Sequence, residues 1–422
     1  MPLEFKNYFL RISNDNLNSF PFVHEDIEDC PPLVMNFRQK LRQLTPKTLN
    51  HLKQPIAKKT KNNKGVSQKK MHEVHLLAAH IFNHCRNSQL LVDLGAGLGY
   101  LSEALLELNP DYLIVGLEAA EDRVEKARQR CIQHLPPAAS SSIAYHQHFI
   151  DGDSSGYIES QASELARKNN GQDLQKMSII GLHACADLSV TAMKLFLEMP
   201  RVHCLHIMPC CYHKLELQSS SPEASDSHLF VNFPLSCVLR RSVETRSQKP
   251  ILNRPFLRLA CQQTKAHWGQ EYTEKKHADH GYQMYIRALA ELLRQPEETV
   301  KPIRNAASSS ENPITFSEVK RLYQLESSEG GFNVDWRLSH EETFLQLSEK
   351  FPEYQGPRLA EALTCLQASL QNLCENLVLL DRLCFLEEKS VKQGIPLSAR
   401  YESIFDDKVS SRCHVLIAEK LS

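Results

Sequence analysis

From residue 74 the chain switches repeatedly between two hydrophobic rhythms. Val74–Phe82 (VHLLAAHIF) has helical spacing, and Gln89–Leu94 (QLLVDL) is a continuous apolar run with the length and flanks of a buried parallel strand. The alternation continues with a helix over Tyr100–Leu108, a strand over Tyr112–Leu117 (YLIVGL) and a helix over Glu121–His134. An alternating strand over Ile143–Ile150, a helix around Ile158–Lys168, a strand over Met177–Leu182 (MSIIGL), a helix near Ser189–Glu198 and a strand over Val202–Met208 follow. Strands that alternate with helices predict an α/β domain with a parallel sheet and helices on both faces. Right-handed crossovers make that sheet doubly wound.

Past Met208 the rhythm is lost. Segments 249–264, 281–295, 316–326 and 357–388 read as mostly helical, and the polar runs 219–227 and 305–313 read as loops. Ser411–Ala418 (SRCHVLIA) then reads as a strand, so the sheet is expected to be completed late in the chain. Ahead of the alternating region, residues 30–53 are partly helical, with Leu41, Leu44, Leu49 and Leu52 spaced for one face; 54–68 read as an exposed linker. The expected organisation is an N-terminal extension with a basic linker (1–68) and a cofactor-binding core (69–215). A largely helical insertion (216–370) and a C-terminal helix with strands that complete the sheet (371–422) follow.

Composition fits this plan: 42% of the 422 residues are apolar and 23% charged, enough for a substantial core. The 13 cysteines are scattered, there is no signal-peptide core near Met1, and no apolar run approaches the roughly 20 residues of a membrane helix. A soluble intracellular protein of cytoplasm or nucleus is expected, with no membrane partner. The net charge of −1 conceals a strong segregation. Cys30–His72 holds no acidic residue but eleven lysines and arginines, seen as either a solvated linker or an arm that follows phosphates, with RNA the polyanion in view. Phe37 is the one aromatic within the basic stretch, so base stacking is not indicated.

The strongest chemical signal is VDLGAGLGYLS, Val92–Ser102. Asp93 ends the first strand, and Gly95, Gly97 and Gly99 form the turn into the helix, where a ligand can approach backbone that carries no Cβ. Glu118, at the end of the next strand, can accept hydrogen bonds from the two hydroxyls of an adenosine ribose. The G-x-G-x-G spacing differs from the G-x-G-x-x-G of dinucleotide enzymes, which remain the competing reading alongside a glycine turn without a ligand. An Asp before G-x-G-x-G with an acid one strand on is the arrangement of class I S-adenosylmethionine-dependent methyltransferases.

Further candidates cluster at the ends of later strands. Gly181–Ser189 (GLHACADLS) opens onto the same crevice, with His183 to orient or deprotonate an acceptor and Asp187 as either a functional acid or a helix cap. Cys185 is read as a small buried residue rather than a nucleophile. In Met208–Leu215 (MPCCYHKL), Tyr212 and His213 are expected to face the substrate. Cys210, Cys211 and His213, with His203, Cys204 and His206 just upstream, invite a zinc reading, but adjacent cysteines and a C-x-H step do not match the usual zinc pairs, so no metal is expected. Lys70 and His72, just before the helix that feeds the first strand, are read either as a segment folded over the cofactor or as the end of the linker. The Asn/Asp-Pro-Pro-Tyr/Phe motif of enzymes that methylate adenine amino groups is missing, which disfavours that chemistry.

Taken together, KKMHEV, VDLGAGLGYLS, GLHACADLS, MPCCYHKL, FPLS at 233–236, LACQ at 259–262, LLDRLCFLEE at 379–388 and FDDKVSSRCHVLIAEK resemble the methyltransferase-like protein 25 family, also labelled ribosomal RNA adenine dimethylase domain-containing. The resemblance runs from about Lys69 to the C-terminus. It implies a Rossmann-like, doubly wound seven-stranded methyltransferase sheet, with S-adenosyl-L-methionine as methyl donor. On that reading Gly95 and Gly97 pass the methionine part, Glu118 holds the ribose, Ile150 packs on adenine and Asp151 meets the exocyclic amine. The expected activity is methyl transfer, to RNA first, with a protein or small-molecule acceptor, or a cofactor-binding scaffold without turnover, as alternatives. The chain departs from the family at Ala186, where Gly is usual, and at Ser410-Ser411-Arg412, where Ser-Pro-Arg is usual.

Overall fold

The computed structural model describes residues 1–24, 27, 29–45, 66–170, 174, 176–218, 230–244, 251–261, 264–269, 271–350 and 355–421. The chain divides into two compact units, one of Met1–Thr45 with His267–Leu370 and one of Pro46–Ala266 with Gln371–Ser422. The expected basic linker falls largely in 46–65, outside the described residues.

The first unit begins with helices α1 (Leu3–Arg11), α2 (Asn14–Ser19) and α3 (Pro32–Leu44). Residues 66–266 add α4 (Gln68–His84), β1 (Leu90–Leu94), α5 (Tyr100–Leu108), β2 (Leu113–Glu118), α6 (Glu121–His134), α7 (Pro137–Ser140) and β3 (Ile143–Gln147). Then come α8 (Ser155–Asn170), β4 (Met177–Cys185), α9 (Leu188–Glu198), β5 (Val202–Cys210), α10 (Cys237–Glu244) and α11 (Arg254–Leu259). The chain returns to the first unit through α12 (Glu274–Leu293), β6 (Glu298–Pro302), α13 (Phe316–Leu322), β7 (Tyr323–Ser327), β8 (Asn333–Val334) and α14 (Leu338–Lys350). It ends with α15 (Gly356–Gln393), β9 (Leu397–Ser403) and β10 (His414–Lys420).

In the second unit seven strands form one sheet in the order β3-β2-β1-β4-β5-β10-β9. β1 to β5 are mutually parallel, and β10 runs antiparallel between β5 and β9. The continuous apolar runs are explained by two faces buried at once. Leu90, Val92 and Leu94 enter one core and Leu91 the other; β10 divides Leu416 and Ala418 from Val415 and Ile417 in the same way. The late return of the chain is fixed partly by Asp381 on α15, whose buried carboxylate accepts from the amides of Leu235 and Ser236 and from the Ser236 hydroxyl.

The observed grouping differs from the expected insertion. Met1–Thr45 joins His267–Leu370 because Phe5, Phe9, Leu17, Phe20 and Val34 share a core with Trp268, Ala362 and Cys365. The 267–370 segment also contains a three-stranded antiparallel sheet, β6-β7-β8. Residues 316–326 change period midway: helical to Leu322, then alternating, with Tyr323 and Leu325 buried. Within the basic stretch, Arg38 is buried and donates to the carbonyls of Phe20 and Phe22, and Arg42 donates to that of Val23. These two guanidiniums close a turn of the first unit. Among the described residues no helix is long and apolar enough to cross a membrane.

Candidate active site

Strand order reverses between β1 and β4, and a cleft of about 730 Å³ opens at their C-terminal ends, where open α/β sheets hold ligands. Its floor is the glycine turn. Gly95, Gly97 and Gly99 have φ of 75°, 58° and 79°, a region costly for residues with a Cβ. The amides of Gly95 and Ala96 both donate to the Leu117 carbonyl, which ties the turn to β2. Beside Gly97 a Cβ would meet nothing nearer than 3.9 Å, so the cleft reaches the bare backbone there. Gly99 has another role: it is not a cleft residue, and its Cβ would lie 2.3 Å from the Tyr145 hydroxyl, so its smallness admits a buried ring from β3.

Glu118 ends β2 with its carboxylate held from both sides. The Gly97 amide donates to Oε2 and the Ala120 amide to Oε1, each at 3.1 Å, and Arg123 stands 3.7 Å away. Asp93 is buried and accepts from the Ser102 hydroxyl at 2.9 Å. Burial pushes its carboxyl up to about 7; the nearby Glu118 charge adds to this and the Ser102 bond opposes it. Lys70 reaches the cleft from α4 with Nζ 3.8 Å from the centre of the Tyr100 ring. Its ammonium is held below the usual lysine range by burial and by the Arg130 and Arg123 charges. Ile150 and Asp151 line the cleft from the loop after β3, because that strand ends at Gln147 rather than at Ile150. Asp151 accepts from the Asp153 amide and the Ser154 hydroxyl. Exposed Phe149 lies beside them on the cleft.

The turn after β4 supplies the other wall. His183 has a φ of 62°, and its Nε2 lies 3.2 Å from the Glu73 carboxylate on α4. Glu73 is buried and also accepts from the Ser410 hydroxyl at 2.6 Å, with Lys69 3.8 Å away. Burial pushes the Glu73 carboxyl up, but the hydrogen bonds from His183 and Ser410 outweigh it and hold the group below its ordinary range. With Nε2–H committed to this carboxylate, Nδ1 carries the lone pair, 4.0 Å from Cys210 Sγ, a weak thiol donor. Asp187 lines the cleft without capping α9; its carboxylate accepts from Asn232 Nδ2 at 2.8 Å and the Glu216 amide at 2.9 Å, clamping the segment that borders the opening.

Besides Gly99, three expected residues lie outside the cleft. Cys211, with a φ of 51°, bends the chain into a short 3-10 turn (Tyr212–Lys214) that carries Tyr212 inward. Tyr212 is fully buried and its hydroxyl lies 3.2 Å from both the Pro209 carbonyl and Glu375. His213 sits outside the cleft against Cys261, with Nδ1 3.6 Å from Sγ. His72 accepts from the Asp406 amide at 3.1 Å, also away from the cleft. Cys185, expected to be merely buried, lines the cleft, its sulfur 3.1 Å from Cys210 Sγ. The neighbouring Cys211 thiol is pulled well down by hydrogen bonds from Cys185 and Cys210, helped by the Arg412 charge.

Sequence reasoning missed Glu73, Asn232 and Ser410. For Glu73 a signal existed: it sits beside Val74 and four residues before Leu77, an acid inside an apolar helical stripe.

With this geometry in place, the comparison with known families is decisive for the core: residues 69–218 match the family described as "Methyltransferase domain". The chain carries a methyltransferase domain. Its similarity to "Probable methyltransferase-like protein 25" of Mus musculus is 25% identity over 253 residues, covering 59% of this chain and 38% of that protein. The Homo sapiens protein of the same description is 25% identical over 251 residues with the same coverage. The chain thus spans about two fifths of the length of these relatives. Among solved structures, the N-terminal domain of EvdMO1 with SAH and D-fucose is 10% identical (TM-score 0.25; 41% of this chain, 63% of that one). Magnesium protoporphyrin IX methyltransferase from Synechocystis PCC 6803 with bound SAH is 15% identical (TM-score 0.24; 46% and 68%). The cleft lining fits S-adenosylmethionine in kind: it brings together the Glu118 and Asp93 carboxylates, bare backbone at Gly97 and the apolar Ile150.

Proposed function

We propose that the domain is an S-adenosylmethionine-dependent methyltransferase that acts on RNA, with His183 as the proton acceptor. The observation that carries the donor assignment is the Glu118 carboxylate, oriented by two amides at the lip of the glycine turn. Bound, the donor supplies a methyl group on a sulfonium, open to in-line displacement by a nucleophile. The chain's own contribution is positional: Gly97 and Glu118 set the donor's place, and Asp187 holds Asn232 and Glu216 at the border of the opening. Such positioning is worth about 7–11 kcal/mol of barrier in well-oriented systems. As the acceptor loses its proton, His183 Nδ1 takes it, and the buried Glu73 carboxylate stabilises the imidazolium that forms.

RNA as acceptor rests on charge segregation. Of the eleven basic residues in 30–72, Arg38, Arg42, Lys69 and Lys70 are engaged within the fold, Lys40 is exposed, and the other six fall outside the described residues. Titration calorimetry with S-adenosylmethionine and its demethylated product tests the donor site. Glu118→Ala should weaken both by roughly 10–100-fold, as expected for losing hydrogen bonds to a charged group worth about 1.5–3 kcal/mol. No uptake of either compound, with tight binding of nicotinamide nucleotides, would overturn the reading. For the acceptor, total RNA binding is measured across a salt series with and without residues 46–65. A flatter salt slope in the deletion supports RNA. An unchanged slope, with label from the methyl donor entering protein or small molecules, replaces RNA as the substrate.

A further inference from the structure

Away from the cleft, α4 and β5 bring three histidines together. His80 and His84 lie one turn apart on α4, a spacing that puts two imidazoles on one helical face, and His206 lies on β5. The three rings sit at centroid distances of 4.2, 5.5 and 5.6 Å, and one ring nitrogen from each falls within 4.8 Å of the others. None of the three lines the donor cleft.

Each ring is oriented through the nitrogen it does not need for a shared ligand. His80 Nε2 lies 3.1 Å from the Glu402 carboxylate of β9, so that nitrogen carries the proton and Nδ1 the lone pair. His84 Nδ1 lies 2.8 Å from the His80 carbonyl, which only accepts, so its lone pair is on Nε2. His206 Nδ1 faces the sulfurs of Cys85 and Cys204 at 3.5 and 3.6 Å. The leftover nitrogens of the two inner rings, His80 Nδ1 and His206 Nε2, are buried with no hydrogen-bond partner. Two orphaned buried imidazole nitrogens in one corner are costly, because each has given up water without gaining a partner. Carboxylate–histidine and carbonyl–histidine bonds that fix the tautomer are the outer shell characteristic of metal-bound imidazoles.

We propose that His80, His84 and His206 bind one zinc-type divalent cation through three imidazole nitrogens, with the fourth position open to solvent beside exposed His84. Three neutral nitrogens with an open position suit zinc, and cobalt can report on the same set. Nitrogens at about 2.0–2.1 Å from a tetrahedral ion are spaced roughly 3.4 Å apart. The present grouping reaches that spacing by side-chain rotation, for which the exposed His84 ring has room. The ion would staple α4 to β5, and through Glu402 to β9.

The test uses the full chain, stripped with chelator and titrated with zinc chloride alone against a chromophoric chelator. The wild type should hold one zinc that His84→Ala loses, with affinity lower by more than about 100-fold. Glu402→Gln should weaken it by roughly 10–100-fold, the usual effect of removing an outer-shell partner. His84→Asp, which restores an oxygen ligand, should recover part of the loss. Zinc should raise the thermal midpoint of wild type in a concentration-dependent way and leave His84→Ala unmoved. With cobalt, the spectrum of wild type minus His84→Ala should show visible d–d bands without thiolate-to-cobalt charge transfer. Equal zinc affinity in wild type and His84→Ala overturns the proposal. So does a difference spectrum dominated by thiolate charge transfer, which would place the metal on Cys85 and Cys204.

Discussion

Asp93 is a carboxyl whose environment opposes its charge, which makes the donor site pH-sensitive. Its folded value of about 7 stands above the ordinary 3.8, so between these values the folded chain holds a proton that the unfolded chain has lost. The stability from this group is complete below about pH 4 and is lost as pH rises to about 7. A cationic donor favours the ionised carboxylate, so donor affinity should run the other way and tighten as pH rises from 6 to 8. Asp93→Asn, which keeps an acceptor for Ser102, should stabilise the free chain at pH 8 by something on the order of 1–4 kcal/mol. It should also weaken the donor and flatten the pH dependence of binding, both measurable by calorimetry and thermal melts. That Glu118, Gly95 and Gly97 line the cleft was legible in the sequence, because their places follow from local order: strand end, tight turn, next strand end. Tyr212 and His213 were not, since the left-handed backbone at Cys211 turns them away and no spacing rule encodes that bend. Glu73 escaped for the converse reason, as its partners His183 and Ser410 are distant in the chain.

Among the elements, β3 and the glycine turn are coupled by one side chain. The Tyr145 ring fills the space beside both Gly99 and Gly116, where added Cβ atoms would fall 2.3 and 2.5 Å from it. Gly116→Ala should cost about 1–3 kcal/mol as an overpacked core position, seen as a drop of several degrees in the thermal midpoint. A Tyr145→Leu change in the same chain should recover part of that loss. The five parallel strands were readable because their apolar runs need two buried faces, and the sheet supplies them. β9 was not, because LSARYES is half-buried throughout and carries too little apolar contrast to stand out. β7 was hidden by an uninterrupted passage from helical to alternating period at Leu322–Tyr323.

At the scale of the molecule, the two units draw on the chain differently. The first unit assembles its core from both ends of a long excursion, whereas the donor cleft is built from second-unit residues alone. Deleting residues 1–45 removes Phe5, Phe9, Leu17, Phe20 and Val34 from the packing around Trp268. That deletion should lower or abolish the first unit's unfolding transition in calorimetry and leave S-adenosylmethionine affinity within about twofold. Domain boundaries drawn from composition placed 1–68 apart from 216–370, since long-range pairing of apolar helices leaves no mark at any single position.

The placement of β10 between β5 and β9 bears on synthesis as well as on shape. A nascent chain halted anywhere from residue 211 to 413 holds five parallel strands whose outer rim, along Val202–Cys210, is apolar and still lacks its antiparallel neighbour. Such a rim is a template for promiscuous strand pairing. Translation products truncated before His414 are therefore candidates for aggregation and chaperone capture, even though the cleft residues on β1, β2 and β4 have already been made.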